Sequence, residues 1–378
     1  MKITDDALVP EVTITGRYPT LARIKTGLFS LDYALSHEGN LGVPLRVIME
    51  LYGYTNVGKS TLAYYIAGKI ASEMGGSITN ADLEMNDVAY IPYAVAASGY
   101  KGNVRMVDVT DDKGKIKTHE DILMVMAKDL LKEEVSAIIW DSIGATQSMA
   151  QQAVLSDPKA TFGEAFMGKR AKLVGDVASA LRTALISKET PSVAIAINHV
   201  HQVIGGRGHI TPGGERLKYL AGTRIMMWST EAFYENDDDP TSPALGFRVS
   251  GQVEKLRFGG RGRKFQFYIV PGYGVHAGVT AMFDAFDLTA RLNVAKKKSK
   301  IKQTVAPYMT AERDARVKLD GKGLGFLKKD LLEYAAEGKR RKFYPFVDVM
   351  SRFAEDVEHG TINLEKEDGG DGQDLEKN

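Results

Sequence analysis

Gly53-Tyr54-Thr55-Asn56-Val57-Gly58-Lys59-Ser60 fits the pattern G-x-x-x-x-G-K-[ST] in full. An apolar run at residues 46–51 precedes it, and Thr61-Leu62-Ala63-Tyr64-Tyr65-Ile66-Ala67 follows with helical apolar spacing. A glycine-rich turn between a strand and a helix makes an anion cradle. Its glycines let backbone N–H groups converge on phosphate oxygens, and the helix N-terminus adds partial positive charge. In that context the motif reads as a P-loop. Lys59 is expected to reach the β- and γ-phosphates, and the Ser60 hydroxyl to ligate Mg²⁺. The expected cofactors are ATP and Mg²⁺, with Gly53, Tyr54, Thr55, Asn56, Val57, Gly58, Lys59, Ser60 and Thr61 around the nucleotide.

Outward from this loop, strand-like and helical patterns alternate. Strands are expected at residues 46–51, 77–82, 104–109, 135–141 and 193–198, with helices at 59–72, 87–98, 119–132 and 164–187. Such alternation predicts an α/β fold with a mostly parallel central sheet. The unbroken apolar run Ala137-Ile138-Ile139-Trp140 fits a strand buried on both faces. Further strands are expected at 223–229, 247–258 and 264–270, the last two joined by a turn at Gly259-Gly260-Arg261-Gly262. From about residue 278 short helices with basic runs are expected.

Two acidic positions belong with the P-loop. Asp141 ends a buried strand, on the sheet edge where ligands of parallel sheets collect, and so stands where a carboxylate would hold the magnesium shell. Asp82-Leu83-Glu84 ends the strand after the P-loop helix. A carboxylate there can orient and deprotonate the water that attacks the γ-phosphate. Glu84 is the preferred base and Asp82 its competitor; capping of the next element would also account for either.

Composition removes several classes. The 378 residues include no cysteine, which excludes disulfides and thiolate chemistry, and the formal net charge is +1. No apolar stretch approaches the roughly 20 residues that span a bilayer, and Met1-Lys2-Ile3-Thr4-Asp5-Asp6 does not open like a signal peptide. A cytoplasmic protein without membrane partners is expected. The spacing of His199, His201 and His209 fits no tetrahedral metal site.

These motifs together resemble the RecA recombinase family over most of residues 24–300. Thr26-Gly27-Leu28-Phe29-Ser30-Leu31-Asp32 looks like the family's segment before the P-loop, Asp82-Leu83-Glu84 is similar to its catalytic D-x-E, and Ile138-Ile139-Trp140-Asp141-Ser142 resembles its strand ending in Asp-Ser. Ala196-Ile197-Asn198-His199 is similar to the γ-phosphate-sensing motif in the form seen in phage UvsX-like recombinases, with His199 where RecA has glutamine. Gly213-Gly214-Glu215-Arg216-Leu217-Lys218-Tyr219 resembles the end of the second DNA-binding loop. Val253-Glu254-Lys255-Leu256-Arg257 resembles the segment whose two basic residues reach the ATP of the neighbouring subunit. The resemblance implies Glu84, Lys59, His199, Lys255 and Arg257 as catalytic residues, the two last delivered in trans when subunits stack. Being two apart, Lys255 and Arg257 are expected on one face of their strand.

The resemblance further implies self-assembly into a filament, binding of single-stranded and double-stranded DNA, homologous pairing and strand exchange. Single-strand-binding and mediator proteins are expected partners. Residues 147–163 and 200–212 stand where the family has its two DNA-binding loops, and loops of that length are usually functional. Lys172, Arg207, Gly213 and Gly214 are the implied DNA-binding residues. Arg207 and glycine N–H groups can take phosphates while Val203 or Ile204 can wedge between bases. Basic runs at 296–302 and 339–342 offer capture of duplex DNA, and the acidic residues 364–378 could compete for them.

The expected organisation is an N-terminal arm (1–27), with a polymerisation strand at 8–14, a RecA-type core (28–277), a small C-terminal domain (278–363) and an acidic tail (364–378). Two alternatives share this core: an ATP-binding paralogue or mediator that regulates another recombinase, and a ring-forming motor ATPase.

Overall fold

The computed structural model describes residues 22–37, 39–86, 88–149, 152, 165–202, 209–234, 241–242, 244–257, 262–294, 309–311, 317–319, 322–326 and 344–359. The expected polymerisation strand, the two basic runs, the acidic tail, Arg207 and most of the first loop lie outside the described residues.

In chain order the elements are β1 (Arg23–Ile24), α1 (Phe29–Ala34), β2 (Val43–Pro44), β3 (Ile48–Gly53), α2 (Lys59–Met74), β4 (Ser77–Asp82), α3 (Ile91–Ala96), β5 (Val104–Met106), α4 (His119–Leu130) and β6 (Val135–Asp141). There follow α5 (Ala165–Ser187), β7 (Val193–His199), β8 (His201–Gln202), β9 (His209–Ile210), α6 (Gly214–Leu220), β10 (Thr223–Tyr234), β11 (Ala244–Leu256), β12 (Lys264–Val270) and β13 (Gly274–Val275). The described remainder is α7 (Ala277–Val294), β14 (Met309–Ala311), β15 (Val317–Leu319), β16 (Lys322–Phe326) and α8 (Tyr344–Glu358).

Nine strands form one sheet in the order β13-β12-β11-β10-β3-β7-β6-β4-β5. The stretch from β10 to β5 is parallel, and β11, β12 and β13 extend it antiparallel. The α/β fold with a mostly parallel central sheet is thus as the alternation of apolar strands and helices requires. Strand residues divide between two cores. Ala137, Ile139, Ile195 and Ile197 pack with α2, whereas Ile138, Trp140, Ala194 and Ala196 pack with α4 and α5. Burial on both faces is why these strands read as unbroken apolar runs.

Several boundaries differ from those expected. The helix expected at 87–98 is only Ile91–Ala96, because Pro92 suits a first turn but not a helix interior. The strand expected at 104–109 stops at Met106; beyond Val107 the chain turns back through a Thr110–Ile116 bridge, with Asp111 Oδ1 accepting from the Lys113 and Lys115 N–H groups. The strand expected at 223–229 runs on to Tyr234, because it pairs with β11 past the end of β3.

After residue 277 short helices were expected. Among the described residues there, α7 is a single helix of 18 residues and β14-β15-β16 form a three-stranded antiparallel sheet. Thr280 in α7 accepts the Tyr268 N–H at 3.0 Å, so this helix begins packed on the core sheet. Helix α8 returns to the start of the chain, where Phe353 packs edge-on against Phe29 and Glu358 pairs with Lys25 at 2.5 Å. No helix among the described residues is long and apolar enough to cross a membrane.

Candidate active site

Strand β3 delivers Gly53 to the C-terminal edge of the parallel strands, and the loop from it enters α2 through Gly58. Gly58 has φ +78°, which favours glycine, and a Cβ there would come within 2.3 Å of Ile269 Cδ1. A Cβ on Gly53 would lie 2.2 Å from the Met227 carbonyl oxygen. Gly53 is therefore fixed by a backbone approach and Gly58 by its positive φ, and the backbone left bare is the surface that phosphate needs.

Lys59 is 5% exposed and folds onto the loop, donating to the carbonyls of Gly53 (3.3 Å) and Tyr54 (2.5 Å). Burial pulls its ammonium down to about 8, against the opposing pull of Glu84 and Asp141. Such a lysine is held by weak carbonyl acceptors and gains by meeting an anion. Thr61 Oγ1 lies 3.0 Å from the Tyr90 hydroxyl at the first turn of the same helix.

Asp141 ends β6 fully buried. Its Oδ2 accepts from Ser60 Oγ at 2.8 Å and Asn86 Nδ2 at 3.3 Å, while Oδ1 is buried with no hydrogen-bond partner. Burial above all, then the neighbouring Glu84 and Asp82, pushes its carboxyl up to about 7. An orphaned carboxylate oxygen beside a serine hydroxyl, among other acids, suits a hard divalent cation. No group of three or more acidic or histidine side chains among the described residues could hold a metal by itself. Mg²⁺ takes one or two protein ligands and completes its shell with water and phosphate. The residues present fit the pair ATP and Mg²⁺, with the Ser60 hydroxyl and the Asp141 carboxylate as the groups that would meet the metal.

The two candidate bases are in different situations. Asp82 is 7% exposed, and its carboxylate accepts from the N–H groups of Glu84 (3.0 Å) and Asn86 (2.8 Å) and from Asn86 Nδ2. It holds the turn after β4. Glu84 has 30% of its side chain exposed, and its Oε1 faces His199 Nε2 at 2.7 Å and takes a hydrogen bond from the Ser142 hydroxyl. The His199 hydrogen bond holds the Glu84 carboxyl below its ordinary value. Glu84, His199 and Lys59 thus converge with Asp141 at one sheet edge.

Lys255 and Arg257 are brought together, but not at this edge. Lys255 stands opposite Arg224, which stands opposite Glu50 near the start of β3, whereas the P-loop leaves the other end of that strand. Lys255 Nζ donates to the carbonyls of Lys218 (2.6 Å) and Tyr219 (3.0 Å), and Arg257 Nη2 approaches the Tyr219 carbonyl at 3.5 Å. Both therefore reach one helix end, that of α6.

At the second loop, β8 and β9 pair as a short antiparallel ladder where open loop was expected, and His209 meets the Tyr54 ring edge-on. Gly213 (φ +99°) and Gly214 (φ +75°) open α6. A Cβ on Gly213 would come within 2.9 Å of Ile143 and Val174, so packing already requires a glycine there. Lys172 lies on α5 beside a groove of about 730 Å³ that Met124, Met149 and Lys169 also line.

Sequence reasoning missed Ser142 as a partner of Glu84, and missed Glu50. An acid in the middle of an apolar strand was the available signal, since a buried charge must find partners. Glu50 is 0% exposed and accepts from Asn198 Nδ2 at 2.8 Å and Arg224 Nε at 2.5 Å. Removing one partner from such a buried ion pair costs about 3–5 kcal/mol.

The sheet order, the loop geometry and the acidic cluster define a P-loop nucleotide-binding protein. Residues 15–275 match the RecA N-terminal domain family, and the chain belongs to the RecA family. It is 29% identical over 283 residues to Protein RecA of Geobacter sulfurreducens, covering 74% of this chain and 75% of that protein. It is 28% identical to Protein RecA of Chlamydia felis over 281 residues, 74% and 72% of the two chains. With Protein RecA of Chlamydia abortus the match extends over 325 residues at 27% identity, 84% and 85% of the two chains.

Proposed function

We propose that this chain is an ATP-dependent DNA recombinase that assembles as a filament on single-stranded DNA and catalyses homologous pairing and strand exchange. Glu84 acts as general base on the attacking water, oriented by His199 and Ser142. Lys59 binds the β- and γ-phosphates, and the Gly53–Gly58 backbone with Thr61 holds the nucleotide. Ser60 and Asp141 would hold Mg²⁺, which when bound would supply positive charge to the phosphate oxygens. Lys255 and Arg257 complete the pocket of the next subunit, so that hydrolysis needs stacking on DNA. Lys172, Arg207, and the backbone at Gly213 and Gly214 serve DNA, and the Asn198-His199 pair supports a place near the phage UvsX-like members.

The observation that carries this reading is the separation of the two halves. Glu84 and His199 lie 2.7 Å apart at one sheet edge, while the paired cations are held at the α6 end, away from their own P-loop. A mediator without turnover would not need the first half. A ring-forming motor remains the other reading of the second half, and microscopy of the ATP–DNA assembly distinguishes ring from filament.

The test is complementation. Protein carrying Lys255→Ala and Arg257→Ala offers an intact pocket, and Lys59→Ala protein offers intact cations. In mixed assemblies, with co-assembly followed by fluorescence transfer, hydrolysis should exceed the sum of the two alone. Co-assembly without recovery removes the trans assignment.

A further inference from the structure

Strand β3 carries two polar side chains in an apolar run, Glu50 and Tyr52, two apart and so on one face. In register, Tyr52 lies beside Asn198 of β7 and Glu50 beside Arg224 of β10. The Arg224 guanidinium sits 4.7 Å over the Tyr52 ring, and the Tyr52 hydroxyl donates to the Glu254 carboxylate. The row continues the other way. Asn198 donates to Glu50 and to the Pro212 carbonyl (2.9 Å), and its Oδ1 accepts the His199 N–H at 2.9 Å. One line of polar contacts therefore leads from the Glu84–His199 pair across the sheet to β11.

Glu254 reaches this line only because β11 is bulged. Arg224 pairs with Lys255, but the next residue, Ile225, pairs with Val253, so Glu254 has no partner of its own. A bulge re-aims side chains that strict alternation would send to opposite faces. Val253 and Leu256 both pack into the core on the α2 side, and Glu254 and Lys255 both turn to the α6 side. A one-residue slip that erased the bulge would send one of them to the wrong face. The cations on this side repel one another: Arg257, Arg224 and Arg182 each oppose the charge of Lys255.

We propose that Tyr52 and Glu254 are positioning residues for the trans cations: their hydrogen bond pins the β11 bulge that aims Lys255 at the neighbouring subunit's nucleotide. The inference rests on the reading that Lys255 and Arg257 act in trans. The pin has a second consequence. Tyr52 adjoins Gly53, so the strand that shapes one subunit's phosphate loop also fixes the cations which that subunit presents to the next.

The experiment compares Tyr52→Phe, which keeps the ring under Arg224, with Glu254→Ala and Glu254→Gln, the last keeping an acceptor. ATP hydrolysis is measured with single-stranded DNA on proteins of verified melting temperature. Losing a hydrogen bond to a charged group should lower kcat about tenfold in Tyr52→Phe and Glu254→Ala, leaving KM for ATP unchanged. Glu254→Gln should retain most of the activity. Mixing Tyr52→Phe with Lys59→Ala protein should restore turnover, because the second supplies well-aimed cations to the first. Parental rates in Tyr52→Phe and Glu254→Ala overturn the proposal. So does a defect that this mixture fails to restore while the Lys255→Ala, Arg257→Ala mixture recovers. If neither mixture recovers despite co-assembly, the trans reading itself has fallen. Should Tyr52→Phe not fold, the contrast between Glu254→Ala and Glu254→Gln carries the test, and equal rates in those two overturn it.

Discussion

At the C-terminal edge of the parallel strands, Glu84 and Asp141 act on one ammonium, that of Lys59, and Asp82 stands beside Asp141. At the α6 end, Arg182, Arg224, Lys255 and Arg257 lie close enough to oppose one another, and only Arg224 has a buried carboxylate partner, Glu50. The first region is short of positive charge and leaves an Asp141 oxygen without a partner. The second is short of negative charge and rests its cations on backbone carbonyls. Each lacks what the other displays, and neither can satisfy the other within one chain because they sit at different ends of the strands. Stacked subunits would join them around a phosphate.

The comparison breaks most decisively at the two cation sources. Lys59→Ala should lower ATP hydrolysis at least about 100-fold and weaken nucleotide binding as well, since this lysine meets phosphate in ground and transition states alike. Lys255→Ala with Arg257→Ala should lose DNA-stimulated hydrolysis by a factor on the order of 1,000, in the range of arginine fingers, yet bind a fluorescent ATP analogue normally. Equal loss of binding in both would mean that the two regions are not the separate halves described.

A smaller effect concerns the acidic edge. Because burial raises the Asp141 carboxyl to about 7, the folded protein holds a proton that the unfolded chain has released between the ordinary aspartate range and pH 7. Stability contributed by that proton is full at low pH and is lost as pH rises through 7. Metal needs the ionised form, so the rise in melting temperature on adding Mg²⁺ and ATP should be larger at pH 8 than at pH 6. Asp141→Asn should flatten the difference. A pH-independent rise in the parent protein would show that the orphaned oxygen is not the metal's.

The smallest effect sharpens the picture on the DNA side. Lys172→Ala should weaken single-stranded DNA binding uniformly across sequences and reduce the salt slope of log affinity by about 1, as for one phosphate contact. An unchanged slope in a binding titration would leave Lys172 as a solvated charge on the groove.

Residue types with a narrow physical role were legible in the chain alone. The P-loop is one: Gly53 and Gly58 occupy places where a Cβ would collide, and Lys59 and Ser60 have few other reasons to follow them. Asp141 was legible because an acid after Ala137-Ile138-Ile139-Trp140 ends a strand buried on both faces. Helical periodicity suggested an element over 87–98, and the late start of α3 that Pro92 sets was not read from the chain. Gly213 and Gly214 stood out as well, but a Cβ on Gly213 would strike Ile143 and Val174, so their presence is accounted for before any nucleic acid is considered.

The sequence by itself determined the layered α/β fold, the glycine-rich P-loop and the acids at the strand ends beside it, because local pattern and burial dictate those directly. Only the tertiary structure decided between Asp82 and Glu84 in placement, by spending the first on backbone N–H groups and setting the second 2.7 Å from His199. Only the tertiary structure joined Glu50, Asn198, Arg224, Tyr52 and Glu254, which lie on four strands. The β11 bulge that turns Glu254 and Lys255 to one face has no signature in five residues of alternating appearance. It exists because Arg224 and Ile225 of the neighbouring strand accept that register, and pairing between strands is a property of the sheet that neither strand carries alone.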